Sequence, residues 1–154
     1  TSVKFRTDVA SMCKLGFDIG LKELTADELA YCQTAVANWK RLQNAIMDGD
    51  QYRLVSPYEG NHMALNYVSK DTNKAVLFAY DIHPRFQEKL MAVKLQGLDP
   101  NKQYKVEEIN LMPSVTSKLG SNGKVFSGDY LMKVGLNVFG LATTQSHVIE
   151  FTAQ

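Results

Sequence analysis

The segment Leu24–Gly49, LTADELAYCQTAVANWKRLQNAIMDG, constrains the fold most, because its start and its apolar face can both be read from its residues. Thr25 and Glu28 have capping-box spacing, in which the Thr hydroxyl takes the Glu28 N–H and the carboxylate reaches back to Thr25. Leu24 and Leu29 occupy the two hydrophobic-staple positions. Leu29, Cys32, Val36, Trp39, Leu42 and Ile46 then recur at steps of three and four, the period of a helix with one apolar stripe. Gly49 stands where a left-handed cap would stop that helix. Beyond it Gly123, Gly128, Gly135 and Gly140 belong to a different kind of sequence, rich in turns.

Before the helix, Ser2–Cys13 predicts a short helix with Val3, Phe5, Val9, Met12 and Cys13 inward and Arg6 and Asp8 on the wetter side. Lys14–Gly20 is short, apolar in part and framed by glycines, as a buried strand between helices would be. Helix, strand, helix is half of an α/β repeat, and one parallel strand cannot receive its hydrogen bonds without neighbours. The first fifty residues therefore read as the end of a larger unit.

After the helix the period drops to two. Strands are predicted at Gln51–Val55, His62–Ser69, Ala75–Ile82, Lys89–Leu95, Gln103–Ile109, Tyr130–Val134 and Gln145–Thr152. The loop at 70–74 joins a hairpin, Gly97–Asn101 joins another, and Leu119–Lys124 is a flexible turn. Seven or eight short strands at this spacing predict an antiparallel, Greek-key-like β-sandwich.

With 154 residues, 45% hydrophobic, 21% charged and a net charge of +1, the chain has a core but no field to gather nucleic acid or a membrane surface. No run approaches the eighteen or so apolar residues needed to span a bilayer. The start, TSVKFRTDVA, lacks signal-peptide architecture, and a signal lying upstream of Thr1 leaves cytoplasmic and exported locations both open. Cys13 and Cys32 are expected as buried free thiols.

No phosphate loop, GxSxG elbow, HExxH or CxxC pair is present. His62, His83 and His147 fall on strand ends without metal-ligand spacing, so no metal and no cofactor is expected. Asp50, Asp81, Glu107, Glu108 and Asp129 are acid/base candidates by residue type, but their contexts are turns and exposed strand faces. Tyr52, Tyr58, Tyr67, Phe78, Tyr80 and Phe86 would stack on sugar rings if exposed, and pack a core if not.

The order Lys14-Leu15-Gly16-Phe17-Asp18, then Thr25-Ala26-Asp27-Glu28, then Gly49-Asp50-Gln51-Tyr52-Arg53-Leu54, then Gly97 to Tyr104, then Ser127 to Met132 resembles the C-terminal end of family-36 glycoside hydrolases, the α-galactosidases. The similarity spans nearly the whole chain, and the order and spacing of the pieces carry it. It implies that residues 1–49 are the last helix, strand and helix of a (β/α)8 catalytic barrel. Residues 50–154 would be the β-sandwich that follows. The family's retaining mechanism uses two carboxylates about 5 Å apart, on barrel strands upstream of the matching region. The resemblance thus assigns this chain no catalytic, substrate-binding or metal residue. Asp18 ends the implied last barrel strand, where barrel active sites are built, yet matches a structural motif and not a catalytic one.

The implied role is the structural C-terminal part of an enzyme that hydrolyses terminal α-galactosides, partnered by its own upstream barrel, with Leu29, Val36 and Trp39 as candidates for the shared core. A carbohydrate-binding sandwich, a related α-glycosidase of the same clan and a self-standing α+β protein are the alternatives.

Overall fold

A computed structural model describes the chain except for Pro84, Phe86, Gln87, Lys89, residues 142–144 and the side chain of Leu21. Helix α1 runs Val3–Ala10 and helix α2 runs Ala26–Met47. They are followed by strands β1 Asp50–Val55, β2 His62–Val68, β3 Lys74–Asp81, β4 Gln103–Ile109 and β5 Val125–Ser127. Helix α3 Gly128–Lys133 and strand β6 Ser146–Ala153 complete the order. The six strands form one antiparallel sheet in the order β1-β2-β3-β6-β4-β5.

The capping box forms as expected: Thr25 accepts the Glu28 N–H at 3.3 Å, and Glu28 accepts the Thr25 N–H at 3.0 Å. The Thr25 N–H, and second the Thr25 hydroxyl, which also donates to the Glu28 carboxylate at 3.0 Å, hold that carboxyl below the ordinary carboxylate range. Helix α2 packs Leu42 and Ile46 on one sheet face against Leu65, Tyr67, Val76, Phe78, Tyr80 and Val148. The other face presents Ala64, Ala75, Leu77, Val106, Ile149 and Phe151 to a layer built from Val93, Leu95, Leu98, Leu131, Leu136 and Val138. Each such buried aliphatic side chain contributes on the order of 1.5–3 kcal/mol, so both faces of the sheet are stabilising.

The mainly antiparallel β architecture is as expected, with six strands among the described residues where the spacing predicts seven or eight. Lys89–Leu95 is not a strand: Lys89 lies outside the described residues, and the rest contributes a single bridge, Val93 to Leu136, to the second layer. Tyr130–Val134 falls mostly in α3 and not in a strand. Ser127 caps that helix by accepting the Tyr130 N–H at 3.1 Å, and Asp129 and Lys133 pair across one turn at 2.7 Å. The short run Val125–Ser127 supplies the strand instead.

Three expectations near the N-terminus also change. Lys14–Gly20 forms no strand, and Phe17 is 42% exposed; among the described residues no neighbouring strand takes its hydrogen bonds. Helix α1 buries Lys4, Thr7 and Asp8 along with Val3, as well as its cap residue Ser11, while Val9 is exposed, because its inward face meets polar partners. Cys13 is exposed and Cys32 buried, both free.

Gly49 has no positive φ, and Asp48 caps α2 in right-handed conformation. The glycine is required by closeness: an added Cβ would lie 2.2 Å from the Ala45 carbonyl oxygen and 2.4 Å from that of Val68. Helix and sheet touch backbone to backbone there.

Candidate functional surface

The apolar stripe of α2 divides between two tasks. Leu42 and Ile46 enter the core, but Leu29 is 37% exposed and Val36 is half-buried. With Leu24, Cys32, Phe17 and Ile19 these two line an open groove of about 330 Å³ whose polar side chain is Gln33. Residues 16–19 stand as a ridge, since Phe17 and Ile19 also line a smaller cavity of about 160 Å³ on their other side, with Val3, Arg6 and Asp18. Asp18 is exposed at the end of this ridge. Such a contiguous apolar face is the usual mark of an interaction site. Trp39 lies apart from the groove, half-buried against the sheet-facing core with its indole N–H donating to the Cys13 carbonyl at 2.8 Å.

The candidate carboxylates are each engaged elsewhere. Asp50 pairs with Lys70, Asp81 with His62, Glu107 with Lys105, Glu108 with His147 and Asp129 with Lys133; none lines the groove. His62 and His147 are not isolated, as their spacing suggested. His62 Nδ1 lies 2.7 Å from Asp81 and its Nε2 lies 3.2 Å from Glu88, with the ring against Phe139 at 4.5 Å. His147 is buried, its Nδ1 2.7 Å from Glu108. Burial alone would raise the Glu108 carboxyl, but hydrogen bonds from His147 and Ser117 outweigh it and leave it below the ordinary range. His83 is exposed. Among the described residues no three His, Cys, Asp or Glu are placed to hold a metal ion.

Of the six aromatics, those on the central strands pack a core and present no exposed row. Tyr67, Phe78 and Tyr80 are in the core, Tyr52 is half-buried, Tyr58 is 97% exposed at a loop tip, and Phe86 lies outside the described residues.

The polar centre of α1 escaped the sequence reading. Asp8 is fully buried, and its Oδ1 accepts from Tyr31 at 2.8 Å and from Asn110 at 3.2 Å. Its Oδ2 accepts from Lys4 at 2.6 Å and from Ser146 at 2.7 Å, and its carbonyl oxygen accepts from Tyr80 at 2.9 Å. Burial first, and the nearby Asp8 charge second, push the Tyr31 and Tyr80 hydroxyls far above their ordinary range.

Comparison with known proteins places this geometry. The profile described as Glycosyl hydrolase family 36 C-terminal domain matches residues 62–151. "Probable alpha-galactosidase C" of Aspergillus flavus is 35% identical over 135 residues, which is 87% of this chain and 16% of that protein. "Alpha-galactosidase 2" of Hypocrea jecorina is 31% identical over 137 residues, 88% of this chain and 16% of the relative. The crystal structure of the GH36 α-galactosidase AgaA from Geobacillus stearothermophilus superposes with a TM-score of 0.83 at 26% identity, over 100% of this chain and 20% of that one. The chain thus spans about a sixth of the length of the curated relatives it matches.

Proposed function

Because the chain belongs to the C-terminal domain family of glycosyl hydrolase family 36, we propose that it is the closing structural part of an α-galactosidase-like enzyme. Residues 1–49 are read as the last α/β unit of that enzyme's barrel and residues 50–154 as the sandwich beside it. The two carboxylates of retaining hydrolysis, one attacking the anomeric carbon and one protonating the leaving oxygen, would stand on barrel strands outside this chain. Its own contribution is to complete the barrel wall and cover it.

The observation that carries this reading is the ridge and groove of Phe17, Ile19, Leu24, Leu29, Cys32 and Val36. A segment assigned to no helix or strand and flanked by apolar side chains is where a strand would complete once neighbours supply its hydrogen bonds. The occupant of this face is the upstream barrel, which would supply strands to the ridge and an apolar helix to the groove. A self-standing α+β protein has no use for this open face, and burial of Tyr67, Phe78 and Tyr80 removes the platform that a carbohydrate-binding module needs.

The test compares two proteins on a chromogenic α-galactoside: residues 1–154 alone, and the product of the whole coding sequence. The first should release nothing and the second should turn over. Turnover by residues 1–154, or a coding sequence with no barrel before Thr1, would falsify the proposal.

A further inference from the structure

The residues before the ridge are tied to the sheet more firmly than the ridge is tied to anything. We propose that Asp8 is a positioning residue: its buried carboxylate joins α1 to the sheet, so helical layer and sheet behave as one body and the ridge is aimed by the sheet behind it. Both oxygens of Asp8 carry two donors each, which fills a carboxylate's accepting capacity. The donors come from α1 itself, from α2, from the residue after β4 and from the start of β6, up to 138 residues away in sequence. Tyr80 on β3 adds its hydroxyl to the Asp8 carbonyl. Asn110, which donates to Asp8, also accepts from Asn38 on α2 at 2.9 Å.

Two further bonds carry the tie along the chain. Tyr67 on β2 donates to the Met12 carbonyl at 2.6 Å and Trp39 on α2 donates to that of Cys13. The ridge starts three residues later. A hub of this kind cannot loosen gradually, because parting any donor leaves a desolvated charge or hydroxyl unpaired. The boundary at residue 49 is therefore not a hinge. What the ridge would meet rests on the galactosidase reading; the coupling does not.

Trp39, the single tryptophan, lies between the helical layer and the sheet and reports their separation by fluorescence. Urea unfolding of residues 1–154 is followed by this signal and, in parallel, by amide-exchange protection of β2, β3 and β6. The two transitions should coincide in the wild-type chain. In Asp8→Ala the Trp39 transition should move ahead of the sheet's by roughly 1 M urea or more. Tyr31→Phe, which deletes one donor, should move it in the same direction by less, and it decides the question if Asp8→Ala does not fold. Val106→Ala, on the opposite sheet face, should lower both transitions together, as a merely structural loss does. Coincident transitions in Asp8→Ala and Tyr31→Phe, or separate ones in the wild type, overturn the assignment. Since every readout comes from this chain alone, failure of the galactosidase reading would leave the result unchanged.

Discussion

Gly49→Ala isolates one contact with a computable consequence. The added Cβ would stand 2.2 Å from the Ala45 oxygen and 2.4 Å from the Val68 oxygen. Both distances fall well inside the 3.0 Å below which real Cβ atoms are essentially never found. Neither obstacle is a flexible side chain: one is the last turn of α2 and the other the end of β2. Overpacking typically costs about 1–3 kcal/mol, and two backbone walls put this case near the top of that range. Restricting the unfolded chain returns less than about 1 kcal/mol, leaving a net loss of about 2–3 kcal/mol. With a urea slope of about 2 kcal/mol per molar, the midpoint should fall by about 1–1.5 M. Gly60→Ala is the companion: nothing lies within 4 Å of its Cβ and its φ is not positive, so its midpoint should stay or rise slightly. Trp39 fluorescence in urea measures both. If Gly49→Ala unfolds at the wild-type midpoint, the backbone contact between helix and sheet is not as described.

Other outcomes follow from other groups. Glu108 has a folded pKa below its ordinary 4.5, so its contribution to stability is whole above about pH 4.5 and is lost as pH falls through the folded value. Glu108→Gln should flatten the acid limb of the melting-temperature profile, and an unchanged limb counts against the His147 pairing. Leu77→Ala, at a position with no exposed surface, should cost about 2–5 kcal/mol in chemical denaturation; a loss under 1 kcal/mol would mean a loose second layer. Tyr104→Phe removes a hydroxyl that donates to Thr72 at 2.8 Å and accepts from the Asp99 N–H at 3.1 Å, and should cost about 1–3 kcal/mol by the same measurement. Phe17→Asp with Leu29→Asp should change the stability of the chain by less than about 0.5 kcal/mol, because both side chains are partly open to solvent; a large loss would place them in the core.

What sequence disclosed here was local. The Thr25–Glu28 box, the hairpin around residues 69–74 and the alternation of Gln103–Ile109 depend on neighbours within a few positions, and each element formed as read. Helix α3 was also signalled locally, by Ser127 followed by Asp129 and Lys133, but the apolar run Tyr130–Val134 outweighed that signal in a reading by alternation. The burial of Asp8 is not legible in the sequence, because amphipathic counting treats every carboxylate as solvent-facing. Its partners lie 4, 23, 102 and 138 residues away, and no periodicity records such meetings. At Gly49 the sequence suggests a conformational need, but the need is steric, a distinction that requires the position of Val68. The groove was legible only as a prediction of incompleteness: the stripe on α2 was visible, but not which of its residues would find a core within this chain.

The two outer strands of the sheet bear on how the molecule tolerates crowding. β1 breaks register between Arg53 and Val55, and β5 offers only three residues. A bulge twists an edge away from straight pairing, and a short strand gives an incoming backbone too few bonds to stay. Stacking of sheets into fibrils is thereby discouraged at both margins, so at high concentration self-association should run through the greasy helical side and dissolve in mild detergent.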